Sequence, residues 1–246
     1  MEPLLMDLHT HTIASGHAYG TITEMAKAAA DKKVKVLGIT EHAPGIPGTC
    51  DKLYFSNMKV VPRELFGVKL LLGSEINIMD YDGRLSLPDS YIKYLDIRIA
   101  GHHKICCEFG SMEENTRAVV SAMKNPKIDI ISHPDDGRGP LDYEKLVEAS
   151  VTYHTLLEIN NNSLRLPIRK NAEENMRTIL KLCMECGQPV VVNSDAHYMD
   201  DIANIDQVSR LIDEMGFPRE LIMNYFPERF LDFLRENRMR EGMEAC

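Results

Sequence analysis

Seven apolar or β-branched runs, each followed by a polar cluster and then a helical pattern, constrain this chain more than any other feature. They cover residues 4–11, 34–42, 68–78, 95–103, 128–134, 155–160 and 189–195. Several are nearly continuous in Val, Ile and Leu, as strands covered on both faces should be. Helix starts are legible between them. Thr21 with Glu24, and Ser111 with Glu114, have capping-box spacing, the first opening a helix over 22–33. Asn171 with Glu174 predicts a third box, for a helix closed by Gly187. Segments 141–154 and 205–215 are amphipathic, and Pro218 and Pro227 are placed to start short final helices. Such alternation predicts a parallel sheet with right-handed crossovers. An open doubly wound sheet and a barrel both satisfy it. The polar clusters decide: they fall at all seven C-terminal strand ends, and only a closed or nearly closed barrel brings seven such ends to one mouth. The expectation is an α/β fold, a single domain over 1–246. It is a distorted (β/α)7, TIM-barrel-like barrel with its site at the C-terminal ends of the strands.

The formal charge of −9 argues against broad binding to phosphate backbones. It leaves room for a small phosphorylated ligand held by a local positive centre. The N-terminus has no basic or leader-like apolar segment, and no apolar run approaches the roughly 20 residues that span a bilayer. A cytoplasmic protein without a membrane partner is expected. In that compartment the six cysteines are free thiols. Cys183 and Cys186 have redox-motif spacing but sit late in a helical pattern, which marks them as core or surface thiols. Cys106, Cys107 and Cys246 carry no signal of their own.

Eight of the nine histidines lie at or just after a strand end: His9, His11, His17, His42, His102, His103, His133 and His197. His154 falls in a helical pattern and reads as a surface or packing residue. In Asp7-Leu8-His9-Thr10-His11 the i, i+2 spacing puts both imidazoles on one face, a divalent-metal half-site. Asp195-Ala196-His197 repeats that geometry with a carboxylate. Glu75 ends an apolar strand, where an unpaired carboxylate is costly to bury and where its two oxygens can bridge two cations.

These residues resemble the motifs of the polymerase-and-histidinol-phosphatase (PHP) superfamily. Asp7-Leu8-His9-Thr10-His11 with His17 resembles its first motif, and Ile39-Thr40-Glu41-His42 its second. Gly73-Ser74-Glu75-Ile76-Asn77 resembles the third, Ile131-Ser132-His133-Pro134 the fourth, and Asn193-Ser194-Asp195-Ala196-His197 the last. The segments around His17, Asn57-Met58-Lys59 and Leu157-Glu158-Ile159-Asn160-Asn161 bring the chain nearest to small stand-alone YcdX-like phosphatases. Glu41 and Asn193 depart from the pattern, in which Asp and Gly are commoner, and put substrate fit more than metal binding in question.

The resemblance implies a site for three divalent cations. One takes His9, His11, Glu75 and Asp195, and a second shares Glu75 and adds His103 and His133. The third uses His17, His42 and His197. His102 and His103 both follow Ile99-Ala100-Gly101; the motif favours His103 as the ligand and leaves His102 to support it or face the substrate. Imidazole and carboxylate donors suit Zn, Mn, Fe or Co. Such a centre retains about +3 by formal counting, enough to bind a phosphomonoester dianion and to present a bridging hydroxide to phosphorus. His102 and Asp195 are both candidates for protonating the leaving group. Lys104, Arg138, Arg165 and Arg169 follow strand ends and are candidates for contacting the substrate.

The leading expectation is a metal-dependent hydrolase of small phosphomonoesters. A phosphodiesterase or exonuclease acting on nucleotides or single-stranded ends ranks second, because the chain lacks Trp and a basic aromatic groove. Histidinol-phosphate phosphatase is a narrower alternative, and a metal-holding scaffold without catalysis is the non-enzyme reading. The resemblance also points to small homo-oligomers.

Overall fold

The structure, a computed structural model, describes residues 1–165 and 169–244. Eight strands form one sheet: β1 (Met6–Asp7), β2 (Val36–His42), β3 (Glu64–Leu65), β4 (Val68–Asn77), β5 (Ile97–Gly101), β6 (Ile130–Ile131), β7 (Leu156–Asn160) and β8 (Val190–Asn193). Seven of them run in parallel order β1-β2-β4-β5-β6-β7-β8, as the alternation predicts. β3 is an antiparallel addition on β4 that the sequence pattern does not reveal, because two residues leave no periodicity to read.

The barrel closes between β8 and β1 by a seam made partly of side chains. Beyond the strand ends, Thr10 bridges Ala196, and the His11 N–H donates to the Ala196 carbonyl. Below that, Leu8 N–H donates to Asn193 Oδ1 at 3.0 Å and Ser194 N–H to Asp7 Oδ1 at 3.2 Å. Asn193 therefore serves the barrel wall.

Helices α1 (Ile22–Asp31), α2 (Lys52–Asn57), α3 (Asp89–Ile92), α4 (Met112–Met123), α5 (Tyr143–Tyr153), α6 (Asn162–Arg165), α7 (Ala172–Cys186), α8 (Asp206–Met215) and α9 (Pro227–Glu244) complete the chain. The boxes at Thr21 and Ser111 form with both reciprocal bonds. Asn171 does not form one. Its backbone is left-handed (φ 53°), whereas a side chain that caps needs an extended backbone, and it makes no capping bond. Gly187 ends α7 at φ 71°, as expected. Of the thiols, Cys183 is buried and Cys186 exposed in the last turn of α7, and both are free; Cys246 lies outside the described residues.

The last helix is long where a short one is expected. Pro227 opens 18 residues whose Phe230, Phe233 and Leu234, at i, i+3 and i+4, plug the barrel floor against Leu71, Ile97, Leu156 and Val191. Burying such side chains stabilises by roughly 1.5–3 kcal/mol each. The second apolar cluster lies between the sheet and the outer helices, with Leu37, Leu72, Ile76, Met176 and Leu180 among its members.

A polar chain fastens the floor. Arg98 on β5 donates to both oxygens of Asp129, at 3.1 Å from Nε and 3.0 Å from Nη2. Asn237 Nδ2 donates to Asp129 Oδ1 at 2.9 Å, and its Oδ1 accepts from His154 Nδ1 at 2.7 Å. His154 caps α5 in the left-handed region and stacks on Phe233, so it is a packing residue.

Candidate metal centre

The period of two along each strand builds the site directly above the plug. Leu71 faces the barrel interior, so Gly73 and Glu75 face it too; Leu156 leads to Glu158 and Asn160, and Val191 to Asn193 and Asp195. The inner face thus changes from apolar to polar on rising toward the C-terminal strand ends. Gly101 lets the wall close in: a Cβ there would meet Ser132 Oγ at 2.6 Å, His103 Cε1 at 2.7 Å and Glu75 Oε1 at 2.9 Å. His133 (φ 31°) and Asp195 (φ 55°) hold left-handed backbones that L-residues rarely adopt, and both aim side chains into the mouth.

The expected donors converge on Glu75, which is 1% exposed. Its Oε2 lies 3.4 Å from His9 Nε2, 3.7 Å from His11 Nε2 and 2.8 Å from His42 Nδ1. Its Oε1 lies 3.2 Å from His103 Nε2 and 2.8 Å from His133 Nε2. Asp195 Oδ1 lies 3.7, 3.4 and 3.6 Å from nitrogens of His9, His11 and His197. His17 completes the outer side, its Nε2 3.2 Å from His197 Nε2. His11 with His42 and His197, His9 with His11 and Asp195, and His42 with Glu75 and His103 each bring donor atoms within 4.8 Å of one another.

Two pairs of imidazoles carry a sharper message. Nε2 atoms face each other at 3.0 Å in His9–His11 and at 3.3 Å in His103–His133. The opposite nitrogens are engaged: His9 Nδ1 with Glu158 at 2.8 Å, His11 Nδ1 with Ser15 Oγ at 3.0 Å, and His103 Nδ1 with Asn77 Oδ1 at 2.8 Å. Nδ1 of His9, His11 and His103 is thus taken by a partner outside the cluster, and Nε2 is turned inward toward the other donors. Donors bound to one cation at about 2.0–2.1 Å are spaced ~3.0–3.4 Å apart, which is the spacing found. His42 Nδ1 is a further sign. It is buried with no hydrogen-bond partner despite its 2.8 Å approach to Glu75, whose oxygen is not placed to share a hydrogen. The residues present fit divalent cations.

Protonation in the ion-free chain follows from these contacts. Burial disfavours charge on His9, but Glu158, Glu75 and Asp195 together outweigh it and hold His9 well above the usual imidazole range. Burial, with His42 and His197 beside it, holds His11 well below. Burial pushes Glu75 and Asp195 up, yet the surrounding imidazoles keep both well below the usual carboxylate range, with Arg169 adding to the effect at Asp195. Burial beside His103 lowers His102 to about 4. His102 packs edge-on against Phe109 at the cavity wall, its Nε2 buried and unpartnered.

Several residues that position the donors carry no assigned role in the sequence reading. Glu158 accepts from His9, from the His133 N–H at 2.8 Å, and from Asn160 and Asn193 at 3.0 and 2.8 Å. Glu41 accepts from Thr12 and Ser15, and Ser15 Oγ contacts His11. Glu41 therefore acts on the histidine loop and not on the cavity rim. Ser132 donates to Glu75 at 2.7 Å. A buried carboxylate in an otherwise apolar strand is the signal that singles out Glu75, and Glu158 shows it equally.

The mouth opens into a cavity of about 600 Å³. Lys104, Arg138, Arg165 and Arg169 all line it, together with the apolar side chains of Ile46, Ile105 and Phe109. Arg169 reaches Asp195 Oδ2 at 3.4 Å and Ser163 Oγ at 2.5 Å. Arg138 pairs with Asp136 at 2.5 Å, Arg165 with Asp201 at 2.5 Å and Lys104 with Glu108 at 3.8 Å.

Fold and site together define a parallel α/β barrel with a histidine–carboxylate cluster at its mouth. The PHP domain family profile matches residues 7–182, and the chain belongs to that family. It is 44% identical over 232 residues to a probable phosphatase of Caldicellulosiruptor saccharolyticus, covering 94% of this chain and 96% of that protein. A probable phosphatase of Acetivibrio thermocellus is 40% identical over 236 residues, covering 96% and 97%. Among solved structures it is similar to the histidinol phosphate phosphatase of Lactococcus lactis, crystallised with zinc, L-histidinol and phosphate. That match has a TM-score of 0.60 and 16% identity, and covers 87% of this chain and 94% of that one. Among the described residues no helix is long and apolar enough to cross a membrane.

Proposed function

We propose that this chain is a metal-dependent phosphomonoesterase working through three divalent cations. The observation that carries the reading is the convergence of six imidazoles on Glu75 and Asp195, with His17 against His197 and with inward-facing Nε2 atoms 3.0 and 3.3 Å apart in two pairs. His9, His11, Glu75 and Asp195 would hold one ion, Glu75, His103 and His133 a second, and His17, His42 and His197 a third. Bound ions supply Lewis-acid polarisation of the phosphate and water of lowered pKa. Donors of this kind accept Zn, Mn or Fe.

The chain's own residues then do defined work. Glu75 divides its two oxygens between the two inner sets of histidines, fixing their separation. Glu158 holds His9 with Nε2 inward, and Asn77 does the same for His103. Arg169 and Asn160 take Asp195 Oδ2 and leave Oδ1 for the centre. His102, lowered to about 4, is neutral at pH 7 and serves as a hydrogen-bonding wall residue. The apolar side chains of the cavity make a pocket for a small leaving group, which favours monoesters over extended strands. A small phosphorylated compound is accordingly the partner class.

The test is hydrolysis of p-nitrophenyl phosphate by protein loaded with Mn or Zn, before and after chelation. The reading expects activity that chelation abolishes and metal restores. Equal rates with and without the chelator, or no hydrolysis by loaded protein, contradict it.

A further inference from the structure

The metal-ligand histidines and carboxylates account for the floor of the cavity but not for its rim. In a chain of net charge −9, four cationic side chains converge on this one cavity, and among the described residues its lining carboxylates besides Glu75 and Asp195 are Asp136 and Asp201. A phosphate dianion seated on three divalent ions has its charge matched there and does not call for further cations. Arg169 is 10% exposed and committed to Asp195 and Ser163, so it belongs to the floor.

Arg138 and Arg165 differ. Each is 44% exposed on the wall, and each retains donors. Asp136 engages Nε and Nη2 of Arg138, while no hydrogen bond among the described residues uses Nη1. Arg165 meets Asp201 through Nη1, and no hydrogen bond among the described residues uses its Nε or Nη2. The carboxylates orient the two guanidiniums without exhausting them. Guanidinium forks left half-open in this way match a carboxylate or a phosphate group. Arg138 follows β6 and Arg165 ends α6, so two different loops of the mouth supply them.

Resting on the phosphatase reading, we infer that the substrate carries a second anionic group, a carboxylate or a second phosphate, bound by Arg138 and Arg165 while the phosphoester sits on the metal floor. The site selects small doubly anionic phosphomonoesters over otherwise matched esters with a neutral far end.

The experiment is inhibition of p-nitrophenyl phosphate hydrolysis by matched compounds, using the metal-loaded full chain, so that a compound need not itself be turned over. 3-Phosphoglycerate is compared with glycerol 3-phosphate for the carboxylate arm. Fructose 1,6-bisphosphate is compared with fructose 6-phosphate for the phosphate arm. In at least one arm the doubly anionic member binds at least about tenfold tighter, and that ratio falls to near unity in the R138Q/R165Q variant. The arm showing the larger ratio identifies the second group. Ratios near unity in both arms of the wild type overturn the inference. A ratio that survives in the double variant overturns it equally, since other groups then read the second charge. Should the double variant fail to fold, R138Q and R165Q are made singly, and each must lower the ratio. Loss of p-nitrophenyl phosphate hydrolysis in loaded wild-type protein would instead strike the underlying phosphatase reading.

Discussion

Glu158 Oε1 lies 2.8 Å from His9 Nδ1, and both side chains are fully buried. That contact fixes the tautomer and the ring plane of His9, so its Nε2 meets His11, Glu75 and Asp195 at the centre. A carboxylate behind a ligating imidazole also makes that imidazole a better donor.

Replacing Glu158 by Gln keeps the shape and removes the charge that raises His9. Metal affinity is expected to fall about 10–100-fold. Competition with a chromophoric chelator measures it. An unchanged affinity would mean that His9 needs no carboxylate behind it.

Loading the site should release protons. His9 is held well above the usual imidazole range in the ion-free chain, so it must lose a proton before Nε2 can ligate. Affinity therefore rises with pH through neutrality and levels off once His9 is already neutral. Calorimetric titration in buffers of different ionisation enthalpy should show net proton release near pH 7, and less of it at higher pH. No buffer dependence would contradict the assignment.

The floor can be broken without touching the mouth. Arg98→Met leaves Asp129, raised by burial yet partly pulled back by Arg98, as a buried carboxylate without its cation. A loss of about 3–5 kcal/mol in urea unfolding is expected. Metal stoichiometry of the folded fraction should not change.

Asn193→Ala removes the acceptor of Leu8 N–H and a donor to Glu158. Leaving such groups unpaired costs about 1–3 kcal/mol. Because the seam and the His9 support share this residue, unfolding and chelator titrations should both register the change.

The sequence was informative where a residue's type and its strand position pointed the same way. Apolar runs ending in His, Asp or Glu make seven parallel strands legible in the sequence, along with the cluster of His, Asp and Glu side chains at their mouth. Less accessible were features that depend on partners distant in the chain. Nothing near Asn193 says that it closes the barrel against Leu8, and nothing near Glu41 says that it orders Ser15 and His11. The sequence predicts only a short helix at Pro227, because charged residues dilute the pattern of Phe230, Phe233 and Leu234, which the open barrel floor explains. Asn171 had capping-box spacing, but its left-handed backbone prevents the side chain from capping.

The central claim is that donors from separate strands hold three ions around Glu75. Anomalous diffraction from crystals of manganese-loaded protein tests this most directly. The account predicts three anomalous peaks at the mouth: one among His9, His11, Glu75 and Asp195, one among Glu75, His103 and His133, and one among His17, His42 and His197. An empty mouth at full loading, or peaks confined to other parts of the chain, would contradict it.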